Sequence, residues 1–221
     1  AGAVAGAGGL PKEAIAGSTA SGQTVALGDG RRELLAIAAV LQAAGVVDVE
    51  QWVTWAEELV PAKLDELPRL VDELLDRGLG QAVGTNLRVD PGALLAPVDD
   101  AVLVAVSDHM APGARIRALA MHGRADLALA AAEERMANYG SDADPLLLSG
   151  VAQAASALTG EAEARARLML ARLFATRGDA AAAEAELVRC RVLLKDHPMG
   201  RIWVAQRQMH LALFAGRFDE V

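Results

Sequence analysis

Residues 166 to 198 read ARLMLARLFATRGDAAAAEAELVRCRVLLKDHP, and a pair of helices divided by a glycine corner accounts for them. Leu170, Ala171 and Phe174 give the first helix an apolar face. Gly178 ends it, since glycine alone enters the left-handed backbone region freely. Asp179 is placed to cap the helix that follows. On that second helix Ala183 and Cys190 are short side chains where two helices must approach closely, and Pro198 stands near its end. The tripeptide Arg177-Gly178-Asp179, which on a secreted chain would suggest an adhesion ligand, is read here as the corner of this hairpin.

The same corner recurs. MHGRADLALAAAEER, at residues 121 to 135, and FAGRFDEV, at residues 214 to 221, place Gly123 and Gly216 after apolar helices, with Asp126 and Asp219 three residues on. Five positions after the first two glycines come Ala128 and Ala183; twelve positions after, Cys190 is small and Arg135 is not. The three glycines are 55 and then 38 residues apart, so the repeat is irregular.

Composition fixes the class around this motif. Hydrophobic residues make up 53% of the 221 and aromatics only 3%, so Ala, Leu and Val must build the core, which favours a mainly α protein. The formal net charge of -8 opposes a nucleic-acid surface, where phosphates demand clustered cations. Lysines number only three, Lys12, Lys63 and Lys195, against abundant Ala, Gly and Arg, a usage that suggests a GC-rich bacterial genome. Cys190 is the sole cysteine, so no intrachain disulfide forms and a cytoplasmic location is expected. The apolar run from Leu34 to Val47 is interrupted by Gln42 and falls short of the roughly 18 to 20 residues of a membrane span. No basic leader opens the chain, which starts on Ala and stops at FAGRFDEV where a helix should be under way, as a fragment of a longer protein would.

Ahead of the helical hairpins the period changes twice. GSTASGQTVALGDG, at residues 17 to 30, reads as a linker. Glu33 to Ala44 is apolar almost all round and predicts a buried helix. Val49 to Val60 predicts a second, with Trp52, Val53, Ala56, Leu59 and Val60 as its stripe and Pro61 as its stop. Leu67, Leu70, Val71, Leu74, Leu75 and Leu79 predict a third, with Pro68 in its first turn and Gly78 as its cap. Gln81 to Val83 and Leu87 to Val89 then predict a hairpin around Gly84, Thr85 and Asn86, and DPGALLAPVDDAVL a short helix leaving it. Three helices and a small β-hairpin are the order of a winged helix. The expected organisation is therefore a linker or the end of a preceding module over 1–30, a winged-helix-like domain over 31–106, and helical repeats over 107–221.

Two resemblances follow from these residues. The segment from Ala166 to Pro198 resembles a tetratricopeptide repeat, with Pro198 a few residues late. GGLPKEAIAG, through Gly9, Leu10 and Pro11, resembles the Gly-x-Pro segment late in the nucleotide-binding module of STAND-type ATPases. In the large LuxR-type transcriptional regulators such a module is followed by a winged helix and then a tetratricopeptide-like array. ELLAIAAVLQAAGVVDVEQW and LPRLVDELLDRGLGQAVGTNLRV look like the winged-helix part. The resemblance implies a signal-relay and protein-interaction segment, with a protein partner or neighbouring domains of the same chain, and a small inducer, as its ligands. A freestanding tetratricopeptide-like scaffold is the alternative.

No catalytic, cofactor-binding or metal-binding residues are expected. A Gly-rich loop with Lys-Ser/Thr is missing, and the four histidines, His109, His122, His197 and His210, form no i, i+4 ligand pair. The third helix carries Asp65, Glu66, Asp72, Glu73 and Asp76 against Lys63, Arg69 and Arg77, a balance that phosphates would repel. The residues expected to form turns and packing are Gly123, Ala128, Gly178, Ala183, Cys190 and Gly216. Those expected to offer an interaction surface are Trp55, off the stripe of its helix, and Arg165, Arg167 and Arg172, which with Arg177 share a helix with Glu161 and Glu163 and line a groove for an acidic peptide or form a solvated face.

Overall fold

The computed structural model describes residues 31–94, 97–139 and 144–214. The linker expected over 1–30, the Gly-x-Pro segment and the corner at Gly216 lie outside them. The described chain is mainly helical, with one small sheet.

Helix α1 (Arg32–Leu41) is buried from Leu34 through Leu41, as its all-round apolar sequence requires, and continues into a 3-10 turn at Gln42–Ala44. The short strand β1 (Val47–Asp48) leads into α2 (Val49–Leu59), whose first backbone N–H groups are capped by the Asp48 carboxylate. Helix α3 (Leu67–Asp76) buries Leu67, Leu70 and Leu74, while Leu75 stays exposed. Pro68 sits in its first turn, where no hydrogen bond is lost. Gly78, at φ +67°, ends it with a bond from the Leu79 N–H to the Leu74 carbonyl, the wrapped C-cap that only a left-handed residue permits.

Strands β2 (Gly80–Val83) and β3 (Asn86–Val89) pair antiparallel with Val83 opposite Asn86, which leaves a two-residue turn led by Gly84 at φ +64°. The expected three-residue connection is thus shorter by one, because Asn86 already pairs. Strand β1 adds to the other edge of β3, with Val47 opposite Leu87, giving the sheet order β1-β3-β2. The Gln42 side chain donates to the Val89 carbonyl at 3.3 Å and accepts from its N–H at 3.4 Å, so the residue that breaks the apolar run ties the end of α1 to β3.

The remaining helices are α4 (Asp100–Ser107), α5 (Pro112–Met121), α6 (Ala125–Tyr139), α7 (Pro145–Ala157), α8 (Gly160–Thr176), α9 (Ala180–Leu193) and α10 (Gly200–Phe214). Helices α5 and α6 form one hairpin across Gly123, and α8 and α9 another across Gly178. Helix α7 lies between, packed on α5, α6 and α8, and its insertion accounts for the wide spacing of the two corners. Asp179 caps α9 by accepting from the Ala182 N–H at 3.0 Å. Asp126, by contrast, is already inside the first turn of α6 and does not occupy the cap position expected of it.

One apolar cluster runs from Leu34 to Leu173 through every helix from α1 to α8, and a second joins α8, α9 and α10 around Ala183, Leu187, Cys190 and Leu211. Packing is continuous across residues 106 and 107, where the expected seam between domains falls at the end of α4. The Arg117 guanidinium on α5 donates to the Ala43 carbonyl at 3.2 Å across the same junction.

Candidate functional site

The two corners place their small residues inside. Gly123 and Gly178 have φ of +79° and +78°, and each is followed by a wrapped cap bond, Arg124 N–H to Leu119 O at 2.8 Å and Asp179 N–H to Phe174 O at 2.9 Å. Ala128, Ala183 and Cys190 are buried. The Cys190 thiol lies 3.6 Å from the Ala164 carbonyl oxygen. Burial, reinforced by the negative charge of Glu186, pushes its pKa up to about 12, so the thiolate needed for nucleophilic or metal chemistry is not formed near neutrality.

Two residues expected at an interaction surface lie elsewhere. Trp55 is only 9% exposed and joins the core, packing edge-on against the His109 ring with centroids 5.1 Å apart. The physical reason is spacing: Trp52, Trp55, Ala56 and Leu59 are the i, i+3, i+4, i+7 face of α2, whereas Val53 points outward and is exposed. Trp52 is fully buried, its indole N–H donating to the Leu34 carbonyl at 2.9 Å.

Arg167 is the other correction. Its side chain is 15% exposed and forks between Glu163 at 2.7 Å and Glu186 at 2.8 Å. Burial alone would lower its pKa, but the bonds to Glu186 and Glu163 outweigh that and raise it. This arginine is a buried tie between α8 and α9, with Arg189 adding a second cation to Glu186 at 3.2 Å. Arg165 is more open but also committed, its Nε donating to Glu133 of α6 at 2.8 Å.

Arg172 behaves differently. Together with Arg207 of α10 it stands between two hollows. One, of about 290 Å³, is enclosed by α8, α9 and α10, with Ala171, Ala175, Ala183, Leu187 and Leu211 as its apolar wall and Arg172, Arg207 and His210 as its polar one. The other, of about 430 Å³, is wider and runs between α6, α8 and α10, with Met136, Met169 and Trp203 among its lining and Glu133, Glu161 and Arg165 along its rim. Trp203 is held by His197, the ring centroids 4.8 Å apart. Burial lowers the Arg207 pKa, and the neighbouring charge of Arg172 lowers it further.

Arg207 and His210 carry no motif that sequence reading could catch. They fall on a helix with no clear apolar stripe, and only the packing of α10 across α8 brings them to Arg172. The structure therefore gathers two of the three expected arginines, Arg165 and Arg172, at a hollow and removes Arg167 to an internal ion network. Among the described residues no cluster of His, Cys, Asp or Glu is arranged to hold a metal ion, and no helix is long and apolar enough to cross a membrane. No protein-family model, curated protein or solved structure matches the chain.

Proposed function

We propose that this chain is a non-catalytic signal-relay and protein-interaction segment of a STAND/LuxR-type transcriptional regulator, a winged-helix-like module leading into a tetratricopeptide-like array. The observation that carries the reading is the element order α1-β1-α2-α3-β2-β3 with sheet order β1-β3-β2, followed without a break in the core by helical hairpins. That order is the one a winged helix uses. In such a module the third helix commonly enters the DNA groove, but α3 and the turn before it are acidic, and Arg77 is tied to Glu73 at 2.6 Å. The module is better suited to pack on neighbouring domains and pass on their state.

The reading frame on either side of these 221 residues tests this directly. A phosphate-binding loop upstream and a DNA-binding helix-turn-helix downstream are the expected result. A frame that carries neither would overturn the regulator reading in favour of a freestanding scaffold. In the same proteins, the chain alone is expected to leave duplex DNA unshifted in a gel at physiological salt, as a net charge of -8 requires; a salt-sensitive shift would refute the relay assignment for the front module.

A further inference from the structure

Arginines on α8 and α9 are, with one exception, satisfied by carboxylates where the structure resolves their contacts. Arg165, Arg167, Arg189 and Arg191 each reach a glutamate. Arg172 makes no ion pair among the described residues. Neither does Arg207, which among the described residues has a polar contact at 3.4 Å with a His210 ring nitrogen. Two like charges thus line one hollow, partly shielded from water, and among the described residues neither is paired with a carboxylate. Such a pair is a cost to the fold unless something negative enters.

The shape beside the pair says what kind of anion. The hollow of about 290 Å³ is bounded by three helices and lies near the lower end of small-molecule sites. A folded partner cannot enter it. Beside the guanidiniums the lining is aliphatic, with Ala175, Ala183 and Leu187, and the small residues that let α8 and α9 approach also leave the space open. Arg207 Nη1 lies 3.4 Å from the His210 Nδ1, and both side chains line the hollow.

We propose that the hollow between α8, α9 and α10 binds a small organic acid, its carboxylate held between Arg172 and Arg207 and its apolar body against Leu187, Ala183 and Ala175. Guanidinium forks match a carboxylate in geometry as well as charge. The assignment stands on these residues and does not depend on the regulator reading.

Calorimetric titration of the full chain with octanoate, in low-chloride buffer, tests it, with octanol and inorganic phosphate as comparison probes. Saturable octanoate binding is expected, at least ten-fold tighter than either comparison probe. Arg172→Gln and Arg207→Gln should each weaken it ten-fold or more, and Arg191→Gln, at an exposed position on α9, should leave it unchanged. Melting curves separate binding from folding: without ligand Arg207→Gln melts no lower than the parent, because one of two repelling charges is gone, yet octanoate raises the melting point of the parent only. Absence of saturable octanoate binding, full binding in either folded arginine variant, or phosphate binding as tight as octanoate would each overturn the proposal.

Discussion

At Gly178 a Cβ would meet no atom within 4 Å, so the only obstacle to a larger residue is the backbone, held at φ +78°. The left-handed region costs an L-residue about 1 kcal/mol or somewhat more. Gly178→Ala is therefore expected to destabilise the chain by about 1 kcal/mol, and Gly178→Val by more because its side chain branches at Cβ. Asp179→Glu should fall well below either, since the longer carboxylate still offers an acceptor near the Ala182 N–H. Denaturant titration of the three variants reads this; an unchanged midpoint for Gly178→Val would show that the corner does not need a left-handed residue. The corner was legible in the sequence because Gly followed by Asp after an apolar helix is a local signal. Trp55 was legible but misplaced: Trp52, Trp55, Ala56 and Leu59 fall on one i, i+3, i+4, i+7 face, whereas the partner ring of His109, more than fifty residues away, carries no local signal.

At the scale of elements, the close approach of α5 and α7 rests on two glycines, Gly113 of α5, where a Cβ would lie 2.9 Å from the Leu147 backbone nitrogen, and Gly150 of α7. A Cβ at Gly150 would lie 2.7 Å from the Arg117 backbone nitrogen and 2.9 Å from its Cα, neither of which can rotate away. Gly150→Ala gains about 1 kcal/mol of helix propensity, yet it forces the two backbones apart and loosens Ile116, Leu147 and Val151, all buried at this contact. Overpacking of this kind costs about 1–3 kcal/mol. The expected outcome is net destabilisation of about 1–2 kcal/mol with helix content by circular dichroism unchanged; a rise in stability would mean that α7 is free to slide. Long amphipathic stretches such as α3 announce themselves through Leu67, Leu70 and Leu74. Strand β1 could not: two residues have no period, and Val47 becomes a strand only because Leu87 pairs with it from forty residues away. Helix α7 escaped the repeat reading for a related reason, since its place is set by packing on α5 and not by a corner glycine. Arg172 was visible as a cation on a helix, but the hollow it serves depends on where α10 lands.

Across the whole molecule, the seam between the sheet-bearing front and the helical array is closed by apolar contacts and by a few polar ties, and a buried histidine sits in it. His122, the residue that ends α5, lies beside Ala39 of α1, and its buried Nε2 has no hydrogen-bond partner among the described residues. Its pKa is lowered from 6.5 by burial, which outweighs the opposing influence of the Ala39 backbone. A histidine with a depressed folded pKa binds fewer protons folded than unfolded at mildly acid pH. Its contribution to stability is therefore complete above the unfolded value near 6.5, is lost progressively as pH falls below that value, and stops changing once pH passes below the folded pKa. Because the ring is buried where α5 meets α1, the proton acts on the seam and not on the outer helices. His122→Gln, which keeps a donor and cannot ionise, should flatten this part of the profile. Urea unfolding at pH 7.5 and pH 5.5 reads the difference: the parent should lose more stability between the two than His122→Gln does. Equal losses would place the acid sensitivity outside the seam.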